Sequence, residues 1–309
     1  MSPLRQAVDE YLALRRGLGF SLRQPGAMLH QFAAFLERAG APYITRELAL
    51  RWAQQPAHAQ PAQWASRLRV VRRFAQFWSA SDPRTEVPPL GLLPHRYGRK
   101  PPYIYTEGEI RRLIAVARQL PSATGLRPAT YATLLGLLAV TGLRISEALA
   151  LNRADVDWSE AVLTIRRTKF GKSRLVPVHP STQRALRRYT RLRDRVYPKP
   201  TTESVFVSER GTRLTAWTVR YTFNRLSRRI GLRGSADRRG PRLHDLRHRL
   251  AVATLLRWYR AGVDVERHLP ELSTYLGHGH VADTYWYLSA VPELLWLAAA
   301  RLEARGGRS

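Results

Sequence analysis

The sequence contains no cysteine, which excludes disulfides and any cysteine-ligated zinc site. It has no run of about 18 apolar residues, the length a membrane-spanning helix needs. The start, Met1-Ser-Pro-Leu-Arg5, has no apolar stretch of the kind that marks a secretory signal, so a cytoplasmic location is expected. No G-x-x-x-x-G-K-[ST] phosphate loop occurs, and there is no internal repeat or low-complexity tract. Acidic residues are scarce: 23 Asp and Glu stand against 51 Lys and Arg, a formal net charge of +28. An imbalance of that size in a chain without a membrane span points to a polyanionic partner. A ribosomal-type or generally sticky basic protein is the plainer alternative, and charge alone does not separate the two. The basic residues recur along the whole chain, so this is not a basic tail on a neutral domain.

At 309 residues the chain can form one or two domains with ample core. Residues 3–80 read as helical. Leu4, Val8, Tyr11 and Leu12 make one apolar stripe, and Leu29, Phe32 and Leu36 continue it after breaks at Gly17, Gly19 and Pro25. Trp64, Leu68, Val71, Ala75 and Trp78 recur at helical spacing as a core face, with Arg67, Arg72 and Arg73 off it. A basic face opposite a core face can lie along DNA phosphates; it can equally be an ordinary solvated face. Residues 82–102 hold Pro83, Pro88, Pro89, Pro94, Pro101 and Pro102 among Arg84, Arg96, Arg99 and Lys100. Proline interrupts both helix and central strand, so this stretch reads as a basic linker. It separates an N-terminal helical domain, 1–81, from a second domain, 103–309.

In the second domain, Thr106 and Glu109 form a capping box that opens a helix. Tyr131 to Val140 is an almost unbroken apolar helix, interrupted by Thr141-Gly142, and a second helix runs from Leu143 to Leu151. Residues 161–167 and 174–178 read as two strands of a hairpin, with Thr168-Lys-Phe-Gly-Lys172 as its turn. Helices are expected over 181–196, over 215–230 with Thr215 as its cap, and over 243–261 up to Gly262. After Pro292 a last helix carries seven consecutive apolar residues, Leu294 to Ala300. They cover every face of about two turns, more than packing on one domain needs. The fold class is mainly α, with a small antiparallel sheet in the second domain.

Three clusters stand out: Thr141-Gly-Leu-Arg-Ile-Ser-Glu147, Leu243-His-Asp-Leu-Arg-His248 and Leu276-Gly-His-Gly-His-Val-Ala-Asp-Thr-Tyr-Trp-Tyr287. Arg144 sits beside a strongly apolar segment, where a guanidinium needs an anionic partner; a pair with Glu147 on the same helix face would satisfy it. His244 and Arg247, three residues apart, project from one face of a helix start, where anions bind favourably. His248 is expected off that face. His278 after a glycine is most simply a cap or a core hydrogen-bonder. Tyr285 and Tyr287 lie about 200° apart on a helix, so only one can face a site. The other, with Trp286, is expected to fill core.

An arginine, then His-x-x-Arg, then Leu-Gly-His and a tyrosine, in that order and spacing, resembles the tyrosine recombinases of the phage-integrase family, over roughly residues 103–290. The resemblance implies a catalytic set of Arg144, Lys169, His244, Arg247, His278 and Tyr287, with Glu147 in support. Arg144 would bind the scissile phosphate, His278 would bond a non-bridging oxygen, and Lys169, on the hairpin, would protonate the leaving 5′-hydroxyl. Tyr287, nine residues after His278, would be the nucleophile, its phenolate stabilised by the surrounding arginines. Lys172, Arg67, Arg72, Arg73, Arg99 and Lys100 are candidate DNA-backbone contacts.

The resemblance also implies a SAM-like N-terminal core-binding domain and an α+β catalytic domain, closing as a C-shaped clamp on double-stranded DNA. Four protomers would assemble there, with the last helix docking on a neighbour. The reaction would be metal- and ATP-independent transesterification through a 3′-phosphotyrosyl link, as in integration or transposition, and no cofactor is expected. A type IB-like topoisomerase shares that chemistry. A relaxase would need His278-Gly-His280 on a strand as a metal pair, and a non-catalytic DNA-binding protein would have no reason to keep the whole set.

Overall fold

The computed structural model describes residues 2–94, 102–166, 173–234, 237 and 240–306. The chain divides into two compact units, Met1–Lys100 and Pro101–Ser309.

The first unit contains α1 (Pro3–Gly17), α2 (Arg23–Arg38), α3 (Arg46–Gln54) and α4 (Pro61–Trp78). Their apolar stripes meet in one core, in which Val8, Leu12, Leu29, Phe32, Leu36, Trp52, Val71 and Phe74 are almost fully buried. Pro25 does not break the chain: it lies in the first turn of α2, where a missing N–H costs no intrahelical bond. The proline-rich stretch is also more ordered than its composition suggests. Asp82, Thr85 and Leu93 are buried, Glu86 N–H donates to the Ile44 carbonyl at 2.8 Å, and the Glu86 carboxylate accepts from Arg46. Residues 82–94 therefore pack as part of the first unit.

The second unit is a helical body with one small sheet. α5 (Glu107–Ala117) starts from the Thr106–Glu109 capping box. α6 (Leu126–Thr141) is apolar nearly all round and is buried accordingly. α7 (Ile145–Ala150) follows after one turn. The sheet has the order β1 (Val156–Asp157), β2 (Val162–Ile165), β3 (Arg174–Pro177), antiparallel throughout. The β2–β3 register pairs Leu163 with Val176 and Ile165 with Arg174, so Leu163, Ile165 and Val176 face the core. β1 was not legible in the sequence because a two-residue strand carries no alternation to read.

Then come α8 (Pro180–Val196), α9 (Ala216–Arg229, capped by Thr215), α10 (Asp245–Arg260), α11 (Val265–Leu276), α12 (Ala282–Ala290) and α13 (Pro292–Gly306). α10 through α13 pack together around Val252, Leu255, Leu269, Leu272, Leu276 and Leu294. α13 is pinned to this body by Leu294, by an Arg260–Glu293 ion pair and by Arg301 donating to the Val263 carbonyl at 2.7 Å. Leu295 and Trp296 remain half exposed or more. No described helix is long and apolar enough to cross a membrane.

Candidate active site

The site forms where α6 ends and α11 ends. Both stop on a glycine in the left-handed region, Gly142 at φ 61° and Gly277 at φ 67°. A side chain at either would be strained, and a Cβ at Gly277 would lie 2.7 Å from the Arg174 guanidinium. The freed carbonyls at these two ends act as clamps. Gly142 accepts from Arg247 at 2.8 Å, Leu276 also accepts from Arg247, and Gly277 accepts from Arg144 at 2.9 Å. Helix ends that need donors thus receive guanidiniums instead of water.

Glu147 organises the remaining charge. It sits in the first turn of α7, opposite Arg144 at the cap. Its carboxylate accepts from the Arg144 N–H at 3.0 Å and side chain at 2.8 Å, and from both terminal nitrogens of Arg174 at 3.1 and 2.9 Å. Arg174 is itself fixed by the Tyr275 carbonyl at 2.8 Å. Burial would push the Glu147 carboxyl up, but the hydrogen bonds and charge of Arg174 and Arg144 outweigh it and hold it at about 2.

Arg247, 2 % exposed, is pulled down to about 10 by burial and then by the charge of Arg144. It still carries its proton at neutral pH. Arg144 and Arg174 bind the Glu147 carboxylate and Arg247 lies within its field, while Asp283 and Asp245 act on the neighbouring Tyr287 and histidines. Buried charge left uncompensated is costly, and a diester phosphate supplies the missing negative charge with acceptors that suit guanidinium forks.

Tyr287 of α12 reaches this cluster. It is 2 % exposed, whereas Tyr285 is 47 % exposed, so the helical geometry separates the two as expected. The expectation that Tyr285 fills core is corrected: it faces solvent, and only Trp286 packs partly on the core. Burial raises the Tyr287 phenol above its ordinary value, and the charges of Arg247 and Arg144 oppose this without reversing it. The arginines alone therefore do not make a phenolate in the free protein.

His278 bonds through Nδ1 to the buried Thr284 hydroxyl at 2.7 Å. Burial, then Arg247 and Arg144, depress its pKa to about 4. If the Thr284 hydroxyl is the donor, the neutral ring carries its proton on Nε2, which can then donate to an anion. His244, at the start of α10, is exposed; partial desolvation and then Arg247 lower its pKa.

Arg144, Arg247, His278 and Tyr287 thus come together with Glu147, and His244 borders them through His248, 4.6 Å between ring centres. Lys169, Lys172, Arg99 and Lys100 lie outside the described residues. Of the α4 arginines, Arg67 stacks on Trp52 at 3.8 Å and donates to its carbonyl, and Arg72 donates to the Pro88 carbonyl. Both are engaged by partners inside the first unit, whereas Arg73 stays exposed.

Sequence reasoning missed Arg174, Thr284 and His248. His248 is four residues from His244, a spacing that returns to the same side of a helix, so placing it off that face was an error of geometry. Arg174 opens a strand expected only as the return arm of a hairpin, and nothing local marked it. Thr284 lay inside the third cluster without a role.

A cationic cluster with a buried tyrosine on a helical body suits binding and attack of a phosphodiester. The model of the Phage integrase family matches residues 104–293. The putative integrase/recombinase y4rB of Sinorhizobium fredii is 55% identical over 309 residues, covering 99% of this chain and 98% of that protein. Tyrosine recombinase XerD of Caulobacter vibrioides is 33% identical over 238 residues, 76% of this chain and 73% of that one. Among solved structures, the Tn1549 transposon integrase in complex with transposon right end DNA matches with a TM-score of 0.66 at 18% identity, covering 98% of this chain and 99% of that one. The XerH recombinase bound to difH in its post-cleavage complex gives 0.65 at 18%, covering 91% and 78%. This chain belongs to the phage integrase family, the tyrosine recombinases.

Proposed function

We propose that this protein is a site-specific DNA recombinase in which Tyr287 attacks a DNA phosphodiester and forms a 3′-phosphotyrosyl link, releasing a 5′-hydroxyl. The observation that carries this is the excess of guanidinium over carboxylate around Glu147, with the Tyr287 phenol at its edge. Arg144 and Arg247 bind the non-bridging oxygens and compensate the charge that grows on phosphorus. His278 adds a neutral donor, and His244 lies at the mouth. Glu147 and Arg174 hold Arg144 in place. Lys169 is the proposed acid for the leaving oxygen. The link conserves the bond energy, so a 5′-hydroxyl of another strand reverses the step and completes exchange without ATP, and the guanidiniums supply the charge compensation that a metal would.

Both units contact DNA in this reading: the first as a core-binding domain, using exposed residues such as Arg73, and the second as the catalytic domain. Transposition is the favoured biological role, from the likeness to a transposon integrase. A tetramer on cytoplasmic DNA completes strand exchange, and the exposed Leu295 and Trp296 of α13 are the surface by which protomers join. The test is a nicked suicide duplex incubated with wild-type and Tyr287→Phe protein. A covalent adduct at the 3′ side of the break with wild type alone supports the proposal. An adduct from Tyr287→Phe, or one on the 5′ side, overturns it.

A further inference from the structure

His248 lies outside the residue set that the sequence motifs supply, yet its ring is within hydrogen-bond distance of the proposed nucleophile, which Arg247 also bonds. Nδ1 is 3.1 Å from the Tyr287 hydroxyl. The opposite nitrogen, Nε2, is 4.0 Å from the buried Asp245 carboxylate, 2 % exposed. Asp245 is oriented by Arg242, whose N–H and side chain donate to it at 2.8 and 2.9 Å. Phenol, imidazole and carboxylate therefore stand in a row, on α12 and the first turn of α10.

At 4.0 Å the His248–Asp245 contact is electrostatic rather than a hydrogen bond, and it favours one tautomer. An Nε2–H points positive hydrogen toward Asp245 and leaves Nδ1 bare to accept from the phenol. The reverse tautomer would turn a lone pair on the carboxylate. We infer that His248 is the base that takes the Tyr287 proton as the phenol oxygen bonds to phosphorus, with Asp245 orienting the ring. This rests on Tyr287 being the nucleophile. In that step the O–H bond breaks as the O–P bond forms, the proton goes to Nδ1, and the electron pair leaves with the 5′-oxygen, which is protonated in turn by the acid of the reaction.

The other groups facing the ring are the His244 edge at 4.6 Å between centres, Trp286 at 5.5 Å, and the neighbouring charges of Arg242 and Arg247. Burial, then His244 and the two arginines, hold His248 at about 4. The ring is consequently unprotonated and available across neutral pH. A weak resting base becomes a stronger one when a phosphate anion enters and its charge grows, because each added negative charge favours the imidazolium.

The test is single-turnover adduct formation on a nicked suicide duplex from pH 6 to 8, under saturating protein. His248→Asn keeps a hydrogen-bonding group but cannot take a proton. Its rate should fall by about 100-fold or more, the usual contribution of a positioned base, and rise about tenfold per pH unit as hydroxide replaces the base. Wild type should stay nearly flat. DNA affinity should not change.

A rate within about threefold of wild type and an unchanged pH profile would overturn the role of His248 while Tyr287→Phe remains inactive. An adduct from Tyr287→Phe would instead overturn the nucleophile itself. If His248→Asn fails to fold, nitrogen-15 histidine spectra of the wild-type protein decide. A proton on Nε2 with bare Nδ1 is expected, and a proton on Nδ1 at neutral pH would contradict the proposal.

Discussion

Replacing Glu147 by Gln removes the one carboxylate shared by Arg144 and Arg174 and leaves the side chain's volume nearly unchanged. The cost follows from two independent magnitudes. The carboxyl is held at about 2 against an ordinary 4.5, a difference worth about 3 kcal/mol at 1.36 kcal/mol per unit. Removing one partner of a buried ion pair costs about 3–5 kcal/mol, and the Glu147 side chain is 5% exposed, so little of that is lost to solvent screening. The variant should therefore be about 3 kcal/mol less stable at neutral pH, roughly 6–12 °C in Tm for a unit of this size.

The direction with pH is fixed. A carboxyl depressed by folding stabilises above its unfolded pKa and loses that contribution as pH falls toward 2. The gap between wild type and Glu147→Gln should narrow over that range. Phosphate or sulfate should also narrow it, because an anion would occupy the pocket's unmatched charge. Chemical denaturation at several pH values measures both. A variant within about 1 kcal/mol of wild type at neutral pH would refute the idea that Glu147 holds the cluster together.

Gly277→Ala should cost at least about 1–2 kcal/mol, since Ala is strained in the left-handed region and its Cβ would crowd Arg174; denaturant titration reads it, and an unchanged midpoint would contradict the clamp. The logarithm of DNA affinity should fall linearly with the logarithm of salt concentration, with a slope of about −0.9 per neutralised phosphate on duplex DNA; a flat dependence would exclude extensive phosphate contact. Leu295→Ser with Trp296→Ser should leave stability within about 0.5 kcal/mol, as exposed substitutions do, and retain DNA binding while losing synaptic assembly in a gel-shift assay. Normal assembly would remove α13 as the joining surface.

Much of the helical framework was legible because its periodicity is strong: Leu4, Val8 and Leu12, or Leu29, Phe32 and Leu36, are buried as their spacing requires. The Thr106 and Thr215 caps were readable for the same local reason. Order in residues 82–94 was not, because Leu93 and Glu86 are held by contacts distant in sequence rather than by local conformation. The site divides the same way. Its motif residues announce themselves, but Arg174 reaches Glu147 across 27 positions and His248 reaches Tyr287 across 39, and no local pattern records such pairings. The burial that raises the Tyr287 phenol, and the occupation of Arg67 by Trp52, are likewise properties of packing.

The most direct measurement is to trap the wild-type protein on a suicide duplex, digest the DNA and the protein, and locate the nucleotide-bearing residue by tandem mass spectrometry. The expected result is a single modified peptide with the nucleotide on Tyr287 through its 3′-phosphate. A nucleotide on Tyr285 or any other residue, or no covalent species under conditions where the DNA is cut, would contradict it.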